Sequence, residues 1–235
     1  MKHVIRRIAG DFIQLLFPDR CPACIKMAIE PFSPLCSLCA RNLEQATSED
    51  VRKSLIKIPQ ACDAFESVFA LWFFDKAGTV QHIHQGLKYN NRPYHGIWLG
   101  RLLGSTCIMP LSPIDRPTLI IPIPLHRRRY LERGYNQSQL LAQGISDQTK
   151  IPLDSTILQR TRNTITQTGL DQKQRLENVR HAFSVQAQVS LKGKHILLVD
   201  DVLTTGATLY AASLALKTSG ASLISIATMA LARMH

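Results

Sequence analysis

The chain has 235 residues, with 28 Lys and Arg against 17 Asp and Glu, giving a formal charge of +11. At 45% hydrophobic and 19% charged residues it has enough apolar material for a core and too little charge for a disordered polymer. An apolar run such as Phe69–Phe74 is far shorter than the roughly 20 residues that cross a bilayer. Composition therefore predicts a soluble globular protein. Its positive balance favours anionic partners without choosing among nucleic acid, acidic lipid and phosphorylated small molecules.

The opening segment places Val4, Ile5, Ile8, Phe12, Ile13 and Leu16 at helical spacing, interrupted by Arg6, Arg7 and Asp11. That pattern predicts a helix packed on the rest of the protein and no secretory leader, hence a reducing, cytoplasmic compartment. Cys21 and Cys24 follow, then eleven residues, then Cys36 and Cys39. Two Cys-x-x-Cys pairs suit four thiolates around a tetrahedral zinc, with disulfides and an iron–sulfur cluster as rivals. A segment this small buries little apolar surface, so a metal would supply most of its folding free energy, on the order of 10 kcal/mol. Cys62 and Cys107 lack such partners and read as small apolar residues. The polar stretch Glu44 to Lys57 and Pro59 reads as a connecting helix or linker, dividing the chain into an N-terminal module (1–60) and a larger domain (61–235).

Beyond Phe65, strand-like runs at Ser67–Phe74, Thr118–Ile123, His195–Asp201 and Ser222–Ala230 alternate with helical stretches. The helical stretches are Val80–Tyr89, Tyr94–Thr106, Asn136–Gln148, Gln172–Ala182 and Ala207–Thr218. This alternation predicts an α/β domain with a mostly parallel sheet.

The most informative stretch runs from His195 to Leu209. Four apolar residues form a buried strand, Asp200 and Asp201 stand at its C-terminal end, and Thr204, Thr205, Gly206, Ala207 and Thr208 form a short loop opening onto a helix. In open α/β sheets ligands bind at that end of the strands. Exposed amides, hydroxyls and a helix N-terminus suit a phosphate, and Gly206 admits close approach. Two neighbouring carboxylates can accept from the vicinal hydroxyls of an attached sugar. A merely well-capped helix is the bland alternative, which the strand, double acid and three threonines in order outweigh.

The stretch Val199–Thr208 resembles the signature of type I phosphoribosyltransferases. With Pro122-Ile-Pro-Leu-His-Arg-Arg-Arg129, Glu132-Arg-Gly-Tyr-Asn-Gln137, Gln167-Thr-Gly-Leu170, Arg175 and Asn178-Val-Arg180, the motif order is similar to that of the ComF/GntX family. The resemblance implies a twisted parallel sheet flanked by helices, preceded by a small zinc ribbon. It also implies that Asp200 and Asp201 hold the ribose hydroxyls of 5-phosphoribosyl-1-pyrophosphate, and residues 204 to 208 its 5-phosphate. Pro124, Leu125, His126, Arg127 and Arg128 would form the pyrophosphate loop, where guanidinium groups suit a magnesium pyrophosphate. Residues 160 to 175 would be a mobile lid bringing Arg162 or Arg175 to the leaving group.

The activity so implied is transfer of phosphoribose to an unidentified acceptor. The alternatives are a non-catalytic phosphoribosyl sensor and a competence factor handling single-stranded DNA or a partner of the uptake machinery. Oligomerisation is left open. Many relatives carry further Cys-x-x-Cys pairs, whereas this chain has two, so one zinc is expected.

Overall fold

The computed structural model describes residues 20–26, 33–56, 58, 61, 63–75, 78–89, 93–161, 182–187 and 189–233. The chain divides into two compact units, Met1–Leu43 and Glu44–His235. The expected N-terminal helix, Cys62 and most of the expected helix Gln172–Ala182 lie outside the described residues. In the first unit the helix α1 (Ser37–Asn42) starts at Cys36, whose Sγ accepts from the Cys39 amide.

The second unit is built on a four-stranded parallel sheet of β1 (Val68–Phe74), β2 (Leu119–Pro122), β5 (His195–Leu203) and β6 (Leu223–Ala232), in the order β1-β6-β5-β2. A parallel sheet covered on both faces needs strands that are apolar on successive residues, which is how these four read. The register aligns Val68, Ile226, Leu198 and Ile121 in one row across the sheet, and all four are buried.

On that face the sheet meets α2 (Ser48–Leu55), α7 (Ala207–Thr218) and a separate antiparallel hairpin, β3 (Leu158–Arg160) with β4 (Phe183–Val185). Leu55, Ile58, Leu158, Leu209, Leu216 and Phe183 join the row in one apolar cluster. Each such side chain contributes about 1.5–3 kcal/mol on burial. α2 begins in a capping box, with Thr47 and Asp50 exchanging side-chain and backbone bonds. The polar stretch expected as a connecting helix or linker holds the helix α2 and packs with this unit.

The remaining helices are α3 (Thr79–Tyr89), α4 (Pro93–Leu103), α5 (Arg127–Arg133) and α6 (Gln137–Thr149). A π-helical turn, Gly104–Ile108, extends α4. α4 and α6 meet backbone to backbone: a Cβ on Gly100 would sit 2.0 Å from the Leu141 carbonyl oxygen, and one on Gly144 would sit 2.1 Å from that of Ile97. Both sheet edges are covered. The Phe73 amide donates to the Glu44 carbonyl at 3.1 Å on the β1 side, and Ile120 donates to Pro152 at 2.8 Å on the β2 side. Covered edges deny other chains a pairing template.

Candidate functional site

β2 stops at Pro122, opposite Val199, while β5 runs on to Leu203. From Asp200 onward β5 is paired with β6 alone, so both acids stand at the C-terminal margin of the sheet, beside the gap β2 has vacated. Asp200 Oδ1 accepts from the Ser138 hydroxyl at 2.9 Å and from the Asp201 amide at 2.9 Å. Asp201 Oδ1 accepts from the Val202 amide at 2.8 Å, and its Oδ2 lies 2.9 Å from His84 Nε2 and 3.7 Å from Lys88 Nζ.

The partners of the acids are placed by α3 and by the start of α6. His84 and Lys88 are one helical turn apart on α3 and share a face. The His84 ring stands edge-on to Phe74, with centroids 5.4 Å apart. The segment Tyr135-Asn136-Gln137 binds α6 to its surroundings. Tyr135 donates its hydroxyl to the Leu87 carbonyl at 2.7 Å, and the Gln137 amide reaches the same oxygen at 3.4 Å. Asn136 caps α6 by accepting from the Ser138 amide, and donates to the Ile123 carbonyl at 2.9 Å. The cap fixes the first turn of α6 and hence the Ser138 hydroxyl.

These surroundings make two adjacent carboxylates chemically unequal. Burial, reinforced by the charge of Asp201, pushes Asp200 up to about 7 against the opposing bonds from the Asp201 amide and Ser138 and the charge of Arg160. Burial acts on Asp201 in the same direction, but the His84 hydrogen bond and the Lys88 charge outweigh it and hold that carboxyl below its usual range. The pair therefore holds an anion at Asp201 and a titratable acid at Asp200 near neutral pH.

Next along the chain, Thr204 is exposed, Thr205 and Thr208 are half-buried, and Gly206 and Ala207 are buried. Gly206 adopts φ 78°, the left-handed region, and a Cβ there would lie 2.6 Å from Leu55 Cδ2. Gly206 is also the N-cap residue of α7 and offers no side-chain acceptor. The helices α1, α2, α5 and α6 are each capped by a side chain, from Cys36, Thr47, His126 and Asn136. The Ala207 amide donates to the Thr205 hydroxyl at 3.4 Å, and Gly206 itself supplies no side chain for the amides that follow, which suit an anion placed there.

Pro124, Leu125 and His126 follow β2 and are half-buried. Arg127 and Arg128, expected in that loop, instead open the short helix α5, with His126 Nδ1 accepting from the Arg128 amide at 3.3 Å. A histidine N-cap preceding a run of good helix formers accounts for the difference. Arg128 pairs with Glu132 at 3.1 Å on the exposed face. Arg162 and Arg175 lie outside the described residues. Sequence reasoning did not place Ser138 or Lys88 at the site. It also missed Arg160, whose guanidinium lies 5.5 Å from the Phe183 ring centroid and interacts with the charges of Arg129 and Asp200.

In the first unit the Sγ atoms of Cys21, Cys24, Cys36 and Cys39 all lie within 4.8 Å of one another, an arrangement able to hold a metal ion. Burial pushes the Cys21 thiol up, but the bonds from the Cys36, Cys24 and Ala23 backbone outweigh it and bring it down to about 7. Amides aimed at sulfur favour thiolate, the ligand form. Cys107 is half-buried and its thiol is pushed up by burial.

Comparison with known proteins places these features in a family. A model of the phosphoribosyl transferase domain matches residues 136–235. Competence protein F of Haemophilus influenzae is 35% identical over 149 residues, covering 60% of this chain and 63% of that protein. The DNA utilization protein YhgH of Escherichia coli K12 is 36% identical over 146 residues, covering 61% and 63%. Over these stretches the chain is similar to the ComF competence proteins. The competence protein ComFC of Bacillus subtilis is 30% identical over 112 residues, covering 45% of this chain and 41% of that protein. Less than two thirds of each relative's own length is matched. Among solved structures, the glutamine phosphoribosylpyrophosphate amidotransferase of B. subtilis is 21% identical with a TM-score of 0.41, covering 61% of this chain and 30% of that one. The second unit has a type I phosphoribosyltransferase-like fold, a parallel sheet flanked by helices. No described helix is long and apolar enough to cross a membrane.

Proposed function

We propose that the chain binds 5-phosphoribosyl-1-pyrophosphate with Mg²⁺ and transfers its phosphoribosyl group to an acceptor, in a protein that serves DNA uptake. The observation that carries this reading is the start of α7: a helix N-terminus without a side-chain cap, directly after Asp200 and Asp201 at the strand end. The 5-phosphate would take the amides and hydroxyls of residues 204 to 208. The ribose hydroxyls would donate to Asp200 and Asp201.

The pyrophosphate would lie toward Pro124, Leu125 and His126, with Arg127 and Arg128 close in sequence. Mg²⁺, when bound, neutralises charge on the leaving pyrophosphate. The protein's part is to hold the ribose, offer cations to the departing group and exclude water from the activated carbon. In the first unit the four thiols suit a structural zinc bound by Cys21, Cys24, Cys36 and Cys39.

Titration calorimetry of the full chain with phosphoribosyl pyrophosphate and Mg²⁺ tests the binding. Heat is expected for the wild type, and severe weakening for Asp200→Asn combined with Asp201→Asn. No heat from the wild type at several Mg²⁺ concentrations removes the reading. Pyrophosphate release with candidate bases, amines or ammonia separates a transferase from a sensor.

A second reading is direct contact with single-stranded DNA. It is favoured by α5, which buries no residue and exposes Tyr130 (49%) and Leu131 (74%) among its arginines. An exposed ring among cations suits base stacking beside phosphate contacts. Affinity for a labelled oligonucleotide that falls steeply with salt and drops on Tyr130→Ala supports it, and salt-independent affinity or none excludes it.

A further inference from the structure

Two side chains on one face of α3, His84 and Lys88, converge on one of two neighbouring acids, while the other is met by a hydroxyl and a backbone amide. His84 Nε2 and Lys88 Nζ approach the same oxygen, Asp201 Oδ2, at 2.9 and 3.7 Å. The side chains of His84, Lys88 and Asp201 are 11%, 23% and 19% exposed, so this is not a loose surface pair. α3 is itself held in place: the carbonyl of Leu87, which lies between His84 and Lys88 in sequence, accepts from Tyr135 and Gln137 at the start of α6, and the His84 ring is braced on Phe74 at the end of β1. The remaining oxygen of Asp201 is fixed by the Val202 amide. Asp201 is thus pinned at both oxygens by groups from two different elements, whereas the named partners of Asp200 meet only one of its oxygens.

We propose that His84 and Lys88 are positioning residues for ribose recognition, holding Asp201 ionised and in one rotamer so that it accepts from a vicinal diol. This rests on the sugar-phosphate reading above. An ionised carboxylate only accepts, and a diol supplies the donors that match it. A carboxylate already locked by charge-assisted bonds loses little freedom when the sugar arrives, whereas an unpinned one must be ordered at the expense of affinity. The His84 hydrogen bond and the Lys88 charge also offset the penalty of keeping a charge in a half-buried place beside a second acid. The sequence signature covers the acids but neither of the residues that prepare them, because α3 lies more than a hundred positions upstream.

The test is titration calorimetry on the full chain with two probes, ribose 5-phosphate and 2,3-dideoxyribose 5-phosphate, for the wild type, His84→Ala, His84→Gln, Lys88→Met and Lys88→Arg. If His84 and Lys88 act through Asp201 on the hydroxyls, His84→Ala and Lys88→Met weaken the ribose probe, His84→Ala by about tenfold, and hardly change the dideoxy probe. His84→Gln keeps a donor and Lys88→Arg keeps a charge, so both are expected to recover most of the loss. Lys88, being partly exposed, keeps the question open if His84→Ala does not fold. Equal loss of both probes marks a structural role and overturns the proposal, as does unchanged ribose affinity in Lys88→Met. A wild type that binds neither probe removes the sugar-phosphate reading itself, a result distinct from the other two.

Discussion

The side-chain amide of Asn136 donates to the carbonyl of Ile123, the residue just after β2, at 2.9 Å and out of contact with solvent. The same side chain caps α6 through the Ser138 amide. One residue therefore ties the end of a strand to the start of the helix that carries the Asp200 partner. Asn136→Ala should cost about 2 kcal/mol, combining a lost N-cap with a buried carbonyl left without its donor. Asn136→Asp keeps the cap but turns a carboxylate toward that carbonyl, so it should be no better. Urea unfolding of the three proteins checks this, and an Asp variant as stable as the wild type would show that the strand contact contributes nothing.

Gly206 carries two constraints that can be separated. Its φ of 78° is strained for any residue with a Cβ, and that Cβ would meet Leu55 Cδ2 at 2.6 Å. Gly206→Ala should lose about 1–2 kcal/mol from the backbone alone and more from the contact. Leu55→Ala removes the contact but opens a cavity costing about 2–5 kcal/mol. The double variant should therefore be more stable than the sum of the two losses implies. Strict additivity in denaturant midpoints would show that α2 does not press on the loop.

The alternation of apolar runs and helical periods was enough to read the four sheet strands and α3, α4, α6 and α7, because those elements are long and their burial pattern is written into successive residues. The β3/β4 hairpin was missed. Its strands are three residues each, Leu158–Arg160 and Phe183–Val185, too short for a period to register, and they pair across more than twenty intervening positions. Asp200, Asp201 and the threonine loop were legible because strand, acids and loop are contiguous. Ser138, His84 and Lys88 were not, since their link to the acids is made by packing of α6 and α3 and leaves no local spacing. Asn136 could have been found as a cap: an Asn directly before a helical period is a capping signal.

His195 opens β5 at the opposite end of the sheet. Its Nε2 lies 2.8 Å from Ser225 Oγ, and its Nδ1 is buried without a partner among the described residues. Burial depresses its pKa; the charges of Glu66 and Asp115 oppose this and that of Lys217 adds to it. As pH falls through the unfolded histidine value, about 6.5, the unfolded chain takes up a proton that the native chain refuses. Stability is thus fully present above that pH and is lost on acidification toward the native pKa. His195→Gln cannot titrate, so its stability relative to the wild type should improve between pH 7.5 and 5.5. A gap that stays constant across that range, measured by urea unfolding, would count against the assignment.

The two acids at the end of β5 should respond in opposite ways to the same substitution. Asp200 has its pKa raised from 3.8 to about 7 in the fold, so between those values the native state holds a proton that the unfolded state has released. Stability is then greatest below the unfolded value and falls as pH rises toward 7. Asp200→Asn removes that liability while still accepting from Ser138, and should be more stable than the wild type at pH 8, by on the order of 1 kcal/mol. Asp201 has its pKa lowered, chiefly by the His84 bond and Lys88, so its contribution is present above the unfolded value and is lost on acidification below it. Asp201→Asn leaves the Lys88 charge and the His84 ring facing an amide and should cost on the order of 2–3 kcal/mol at neutral pH. Chemical unfolding of both variants at pH 5 and pH 8 separates the cases. Matching losses would mean that the acids are equivalent and that α3 does not distinguish them. A gain for Asp200→Asn together with weakened ligand binding would show a carboxylate kept for function at the expense of the fold.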